Sequence, residues 1–258
     1  MIEVRNVYKS FNGKEVLKDI SFTFEAGKTN LIIGQSGSGK TVLMKSVIGI
    51  HQVDKGQILY NGRDFTKMSN KEVALLRQEI GMLFQGSALF DSMTVEENVR
   101  FPLEMFSDKT RKEWEKRVAF CLDRVGLSHA AKLFPSEISG GMQKRAAIAR
   151  AIVLEPTYLF CDEPNSGLDP KTSLTIDQLI QEITRENNIT TIVNTHDMNS
   201  VMEIGDKILF IHKGEKGWEG SKDTIFTSNN ENLDNLVFAS ELFKKVKENQ
   251  TKNENSFL

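Results

Sequence analysis

Eight consecutive residues, Gly34-Gln35-Ser36-Gly37-Ser38-Gly39-Lys40-Thr41, constrain this chain more than any other feature. They follow a short apolar run, Leu31-Ile32-Ile33, and lead into a helical stretch from about residue 39 to residue 50. The pattern G-x-x-x-x-G-K-[ST] between a strand and a helix is a phosphate-binding loop. Its glycines let backbone N–H groups turn inward around phosphate oxygens, and the helix N-terminus adds a positive dipole. Lys40 supplies a mobile charge for β- and γ-phosphates, and the Thr41 hydroxyl is a candidate Mg²⁺ ligand. A mere turn is the competing interpretation of these residues, and the strand–turn–helix context argues against it.

Composition removes several other classes. The chain has 258 residues, 39% hydrophobic and 26% charged, as expected of an ordinary globular protein of one large or two small domains. Lys plus Arg (33) nearly balances Asp plus Glu (35), so net charge points neither to nucleic acid nor to anionic lipid. The most apolar stretch, Ala146–Leu154, is interrupted by Arg150 and falls far short of the roughly 20 residues that span a bilayer. The N-terminus lacks the layout of a secretory signal. Cys121 and Cys161 show no metal-ligand spacing and suit a reducing compartment as small core residues. The expectation is a cytosolic protein.

Hydropathy patterning gives the fold class. Ile20, Phe22 and Phe24 alternate with polar residues, the period of a half-buried strand. Gly56–Asn61, Ile80–Phe84, Tyr158–Cys161, Ile189–Val193 and Lys207–Ile211 read as further strands. Helical patterning fills about 94–154, where Trp114, Val118, Cys121, Leu122 and Val125 share one helix face, and returns at about 170–185 and 197–204. Strands alternating with helices at both ends imply a mostly parallel α/β sheet, with the central helical block inserted into it. Leu233, Leu236, Val237, Leu242, Phe243 and Val246 suit an amphipathic helix, packing on its own core or on another subunit. The polar tail beyond it has the composition of disorder.

Two more motifs carry chemistry. Tyr158-Leu159-Phe160-Cys161 forms a buried strand that delivers Asp162 and Glu163 to its carboxyl end, where open α/β sheets bind ligands. Alone, the pair would suit a solvated turn; beside a phosphate loop it is the second half of an ATP site. Asp162 is placed to hold Mg²⁺ through water, and Glu163 to accept a proton from an attacking water. Ser139-Gly140-Gly141 opens a helix that runs to about residue 154. Helix capping accounts for the serine, yet the set also makes a second anion cradle.

In this order and spacing, the phosphate loop, Gln85, Ser139-Gly140-Gly141, Asp162-Glu163, Ser166-Gly167-Leu168-Asp169 and His196 resemble the nucleotide-binding subunit of an ABC transporter. The resemblance spans residue 1 to about 220. It implies a P-loop NTPase (RecA-like) core with an N-terminal antiparallel β subdomain and an inserted α-helical signature subdomain. The ATPase domain would cover 1–227, with the helical insertion at about 86–154 and a C-terminal extension at 228–258. The cofactors implied are ATP and Mg²⁺. The resemblance also accounts for two cradles: the Ser139-Gly140-Gly141 signature of one subunit covers the γ-phosphate held by the phosphate loop of the other, so the working unit is a homodimer. Gly34, Gln35, Ser36, Gly37, Ser38, Gly39, Lys40 and Thr41 bind ATP, and Phe11 aligns with the aromatic that stacks on adenine. Tyr8 is the weaker choice, and core packing is the alternative for both. Gln85 resembles the glutamine that ligates Mg²⁺ together with Thr41 and Asp162. Glu163 and His196 take the catalytic positions, and Asp169 resembles the aspartate that communicates across the dimer. His51, His129 and His212 match nothing in the pattern.

There are two departures: Ile138 stands where leucine is usual, and Met142 where glutamine is usual, followed by Gln143. Together with the segments Leu83–Val99 and Pro135–Met142 they resemble the ATPases of Mla-type phospholipid transporters, which serve MCE-domain lipid carriers. This implies an integral-membrane permease, an MCE-domain carrier, accessory subunits, and a peripheral site on the cytoplasmic face of the inner (cell) membrane. The segment after Gln85, with Leu89, Phe90, Met93, Phe101, Met105 and Phe106, is the candidate permease surface. The alternatives are a small-solute importer ATPase, such as one for amino acids, and a soluble ABC ATPase acting on nucleic acid or ribosomes. A single copy, without heptads or a basic stripe, argues against the last.

Overall fold

A computed structural model of the chain describes residues 1–238. Strands β1 (Ile2–Phe11) and β2 (Lys14–Phe24) form a hairpin around Asn12-Gly13. The alternation seen in the sequence places Leu17, Ile20, Phe22 and Phe24 inside. β3 (Thr29–Ile33) leads through the glycine-rich loop into α1 (Lys40–Ile48), followed by β4 (Lys55–Tyr60) and the short β5 (Arg63–Asp64). β1, β2, β4 and β5 make an antiparallel sheet in the order β2-β1-β4-β5.

α2 (Asn70–Gln78) precedes β6 (Ile80–Leu83), and three helices then intervene before the chain returns to the sheet: α3 (Val95–Phe106), α4 (Arg111–Arg124) and α5 (Gly140–Ile152). β7 (Tyr158–Asp162), α6 (Pro170–Glu186), β8 (Thr190–Asn194), α7 (Met198–Ile204), β9 (Lys207–His212), β10 (Glu215–Gly220) and α8 (Glu231–Val237) complete the chain. The main sheet runs β10-β9-β3-β8-β7-β6, parallel except for β10 at one edge.

β3 and β8 are buried at every residue, as expected of strands covered on both faces. Leu31, Ile33, Leu159, Cys161 and Val193 face a core shared with α3 to α7. Ile32, Phe160, Ile192, Leu209 and Ile211 face a second core, shared with α1 and the antiparallel sheet. The fold is thus the mixed α/β architecture expected from the sequence, with helices inserted between β6 and β7. Among the described residues no helix is long and apolar enough to cross a membrane.

α2 and β10 were not foreseen. α2 buries only Leu76, so it has no apolar stripe to read; its sequence signal was the capping box of Ser69 and Glu72. β10 has no buried residue at all. In α8, Leu233 and Val237 are buried against the protein's own core and Leu236 packs beside them. Leu242, Phe243, Val246 and the polar tail lie outside the described residues.

Candidate functional site

Three parallel strands end side by side, and each hands the chain to a polar segment at the same edge of the sheet. β3 delivers the glycine-rich loop, β7 delivers Asp162 and Glu163, and β8 delivers Asn194, Thr195 and His196. Gly34 is required where the loop leaves β3, because a Cβ there would lie 2.3 Å from the Ile211 carbonyl oxygen. Gly39 caps α1 in a left-handed conformation without a side-chain hydrogen bond, so the first-turn N–H groups keep their capacity for an anion. The Ser38 hydroxyl is buried in the same loop with no partner. Lys40 is 7% exposed and donates to the carbonyls of Gly34 at 2.7 Å and Gln35 at 3.1 Å. Burial lowers its pKa, opposed by the charges of Glu163 and Asp162.

Asn194, which the sequence reading did not single out, ties this edge together. Its amide donates to Asp162 Oδ1 at 2.6 Å and to Thr41 Oγ1 at 3.2 Å, while its own Oδ1 is buried without a partner. The signal available was a polar residue closing an apolar strand on the same edge as Asp162. Two oxygens converging on one amide are hard donors suited to Mg²⁺, which is commonly held by one or two carboxylates plus phosphate. No cluster of three or more His, Cys, Asp or Glu that could hold a metal occurs among the described residues.

Glu163 adopts φ +47°, a left-handed conformation uncommon for a non-glycine residue. Its N–H donates to the Asn194 carbonyl at 2.9 Å. The His196 Nδ1 lies 2.8 Å from Oε2 of this carboxylate, with the imidazole 69% and the carboxylate 15% exposed. The loop that follows Glu163 carries Asn165 to Asp169. Asp169 caps α6, accepting from the N–H groups of Lys171 and Thr172 and from the Thr172 hydroxyl, which holds its pKa below the ordinary value.

Other expected site residues stand apart from this edge. The Gln85 amide donates to Ser166 Oγ at 3.4 Å rather than to Thr41 or Asp162. Its carbonyl is held by Lys144 of α5, a buried cation whose spacing with Ile148 and Ala151 puts it on that helix's inner face. Arg150 of the same helix donates to the carbonyls of Ser87 and Ala88, both at positive φ. Ser139 caps α5, accepting from the Met142 N–H at 3.3 Å. Ser139 and Gly140 are exposed, and Gly141 packs so closely that a Cβ would lie 2.6 Å from Thr172 Cγ2. The signature therefore lies beside α6, and no hydrogen bond among the described residues joins it to the glycine-rich loop. Phe11 is 39% exposed, with the Lys9 ammonium 5.2 Å from its ring centre and the His51 ring edge-on at 5.1 Å. It is a surface aromatic rather than a core residue.

Behind Gln85 lies an apolar groove of about 730 Å³, bounded by Met82, Phe84, Phe90, Phe101, Phe106 and Arg150. Of the expected permease contacts, Phe90, Met105 and Phe106 are exposed, whereas Leu89 packs against the core.

Comparison with known proteins identifies the family. The chain is 38% identical over 227 residues to "Probable ribonucleotide transport ATP-binding protein mkl" of Mycobacterium leprae, covering 88% of this chain and 65% of that one. It thus spans just under two thirds of that relative's length. To "Methionine import ATP-binding protein MetN" of Clostridioides difficile it is 37% identical over 237 residues, covering 92% of this chain and 74% of the other. Among solved structures, the ATP-binding cassette MJ0796 in a dimeric post-hydrolysis state bound to ADP and Pi matches with TM-score 0.77 and 30% identity, over 86% of this chain and 99% of that one. cbiO1 of Clostridium perfringens, part of the ABC transporter complex cbiONQ, matches with TM-score 0.83 and 29% identity, over 97% and 98%. The sequence pattern of the family described as ABC transporter matches residues 17–166, and the chain belongs to that family.

Proposed function

We propose that this chain is the ATP-hydrolysing subunit of an ABC transporter, acting as a homodimer bound to an integral-membrane permease on the cytoplasmic face of the cell membrane. Residues 1–227 form the ATPase unit, with residues 228–258 as an extension. The observation that carries this reading is the meeting of Lys40, Thr41, Asp162, Glu163 and His196 along one sheet edge, beside an uncapped helix N-terminus.

Lys40 and the loop from Gly34 to Thr41 cradle the β- and γ-phosphates of ATP, and Phe11 offers its exposed face to adenine. Thr41 and Asp162 would hold Mg²⁺, which would offset charge on the phosphate oxygens, with Gln85 joining them only on leaving its bond to Ser166. Glu163 orients the attacking water and takes its proton, and His196 steadies both Glu163 and the γ-phosphate. Ser139, Gly140 and Gly141 reach the γ-phosphate of the second subunit, and Asp169 relays between the two sites. Closure around bound ATP and reopening after hydrolysis then move the permease, because the two states bind nucleotide differently. The groove behind Gln85 receives the permease.

For the cargo, import of a small polar solute is the better supported reading, since the names of the relatives above are those of methionine import and ribonucleotide transport proteins. A second reading, phospholipid transport of the Mla type with an MCE-domain carrier, rests on the segments Leu83–Val99 and Pro135–Met142. Phosphate release by the purified full chain, compared with Glu163→Gln, tests the ATPase reading. Mild-detergent purification of the tagged chain from its native cell, with mass spectrometry of the permease and co-extracted molecules, separates the two cargo readings: co-extracted phospholipid with an MCE-domain protein supports the second, and a small-solute permease without them supports the first.

A further inference from the structure

The segment that follows β6 is held from one side by two cations of α5. Lys144, only 4% exposed, donates from its ammonium to the Gln85 carbonyl, its sole side-chain hydrogen bond among the described residues. Arg150 donates through one nitrogen to the Ala88 carbonyl at 2.6 Å and through the other to the Ser87 carbonyl at 2.7 Å. Six residues separate the two cations, about 9 Å along the helix axis. The main chain from Gln85 to Ala88 is thus fastened to α5 near both of its ends. Ser87 and Ala88 stand at φ +62° and +50°, and strained left-handed residues of this kind persist only where their surroundings fix them. No carboxylate pairs with Lys144 among the described residues, and a buried ammonium without one is retained at a cost.

Gln85 stands beside the catalytic edge. Leu83 of β6 is paired with Cys161 of β7, so Gln85 and Glu163, each two residues further on, leave neighbouring parallel strands at the same level. The Gln85 amide rests on Ser166 Oγ at 3.4 Å, longer than an ordinary N–H···O bond and therefore readily exchanged. The carbonyl of the same residue is fixed, while its side chain is only loosely tethered.

Resting on the reading of Gln85 as a residue of the nucleotide–Mg²⁺ centre, we propose that Lys144 and Arg150 are its positioning residues. They pin the main chain of residues 85–88 to α5, so that the Gln85 side chain alone turns between Ser166 and the edge formed by Thr41 and Asp162. Lys144 acts at the pivot itself, and Arg150 keeps the left-handed turn behind it from relaxing.

Lys144→Met removes the donor and fills the space with a side chain of similar shape. In the purified full chain, the Mg²⁺ midpoint for fluorescent-nucleotide binding rises about tenfold, while Mg²⁺-free binding holds because the Lys40 loop is untouched. Hydrogen exchange speeds up in residues 84–89 but not in 34–41. Lys144→Gln keeps a donor without the charge and recovers most of the shift. Gln85→Ala raises the midpoint as well, and adding Lys144→Met to it changes nothing further, because the side chain being positioned is gone. Arg150→Lys keeps the charge but not the fork that reaches two carbonyls. It loosens the same residues, and it carries the test where Lys144→Met fails to fold. An unmoved midpoint with wild-type exchange overturns the proposal. So do additive losses in the double variant, or a Lys144→Gln no better than Lys144→Met. A wild type whose nucleotide binding ignores Mg²⁺ overturns the reading of the centre instead, and the exchange rates still decide whether the two cations hold the segment.

Discussion

The Glu163 carboxylate and the His196 imidazole are paired directly, Nδ1 lying 2.9 Å from Oε1 and 2.8 Å from Oε2. The two residues leave different strands, β7 and β8, and meet because Glu163 turns at φ +47° with its N–H on the Asn194 carbonyl. A left-handed glutamate costs about 1–3 kcal/mol, and here the strain aims its carboxylate at the histidine.

Replacing Glu163 by Gln removes the proton acceptor while preserving shape. Phosphate release is expected to fall by about 10²- to 10⁴-fold, with nucleotide binding retained. Size-exclusion chromatography with ATP should then show an accumulated dimer. Near-normal turnover would remove Glu163 from its role.

Asn194→Leu leaves Asp162 Oδ1 and the Thr41 hydroxyl without the amide that joins them. Loss of a group that orients metal ligands typically weakens metal binding about 10–100-fold. A Mg²⁺ titration of fluorescent-nucleotide binding should show the midpoint moving to higher Mg²⁺, while Mg²⁺-free binding stays the same.

Asp177→Asn has a stability consequence with a definite sign. The folded-state carboxyl titrates at about 6 against an ordinary 3.8, so between those values the folded state binds the extra proton. Its contribution is fully present below 3.8 and lost as pH rises through 6, costing at most about 3 kcal/mol at neutral pH. The variant, free of a buried charge, should melt higher than wild type at pH 7.5, with the gap closing toward pH 4. Equal melting temperatures at pH 7.5 would contradict this.

Phe106→Glu puts a charge in the groove behind Gln85 at a side chain that is 54% exposed. Stability should change by no more than about 0.5 kcal/mol and basal ATP hydrolysis should persist, while co-purification with the permease is lost. Retained co-purification would move the docking surface elsewhere.

Gly81→Ala tests how the inserted helices sit on the sheet. A Cβ at Gly81 would lie 2.3 Å from the Ala151 carbonyl oxygen of α5, so the helix must shift. A loss of about 1–3 kcal/mol in chemical denaturation is expected from such overpacking. An unchanged midpoint would show that α5 yields freely.

The sequence by itself determined the elements and the chemistry held within single segments. Gly34 to Thr41, Asp162-Glu163 and the Ser139 cap are local: their spacing along the chain fixes which backbone N–H groups or side chains point together, and alternation in Ile20, Phe22 and Phe24 fixes which face is buried. Elements that bury almost nothing, α2 and β10, had no such alternation to read. What only the tertiary structure decided is which segments touch. Asn194 meets Thr41 across 153 residues, Asn165 meets Ser200, and Gln85 turns to Ser166 instead of Asp162. None of these follows from propensity or periodicity, because the order and register of strands in the parallel sheet are set by packing between residues far apart in the chain.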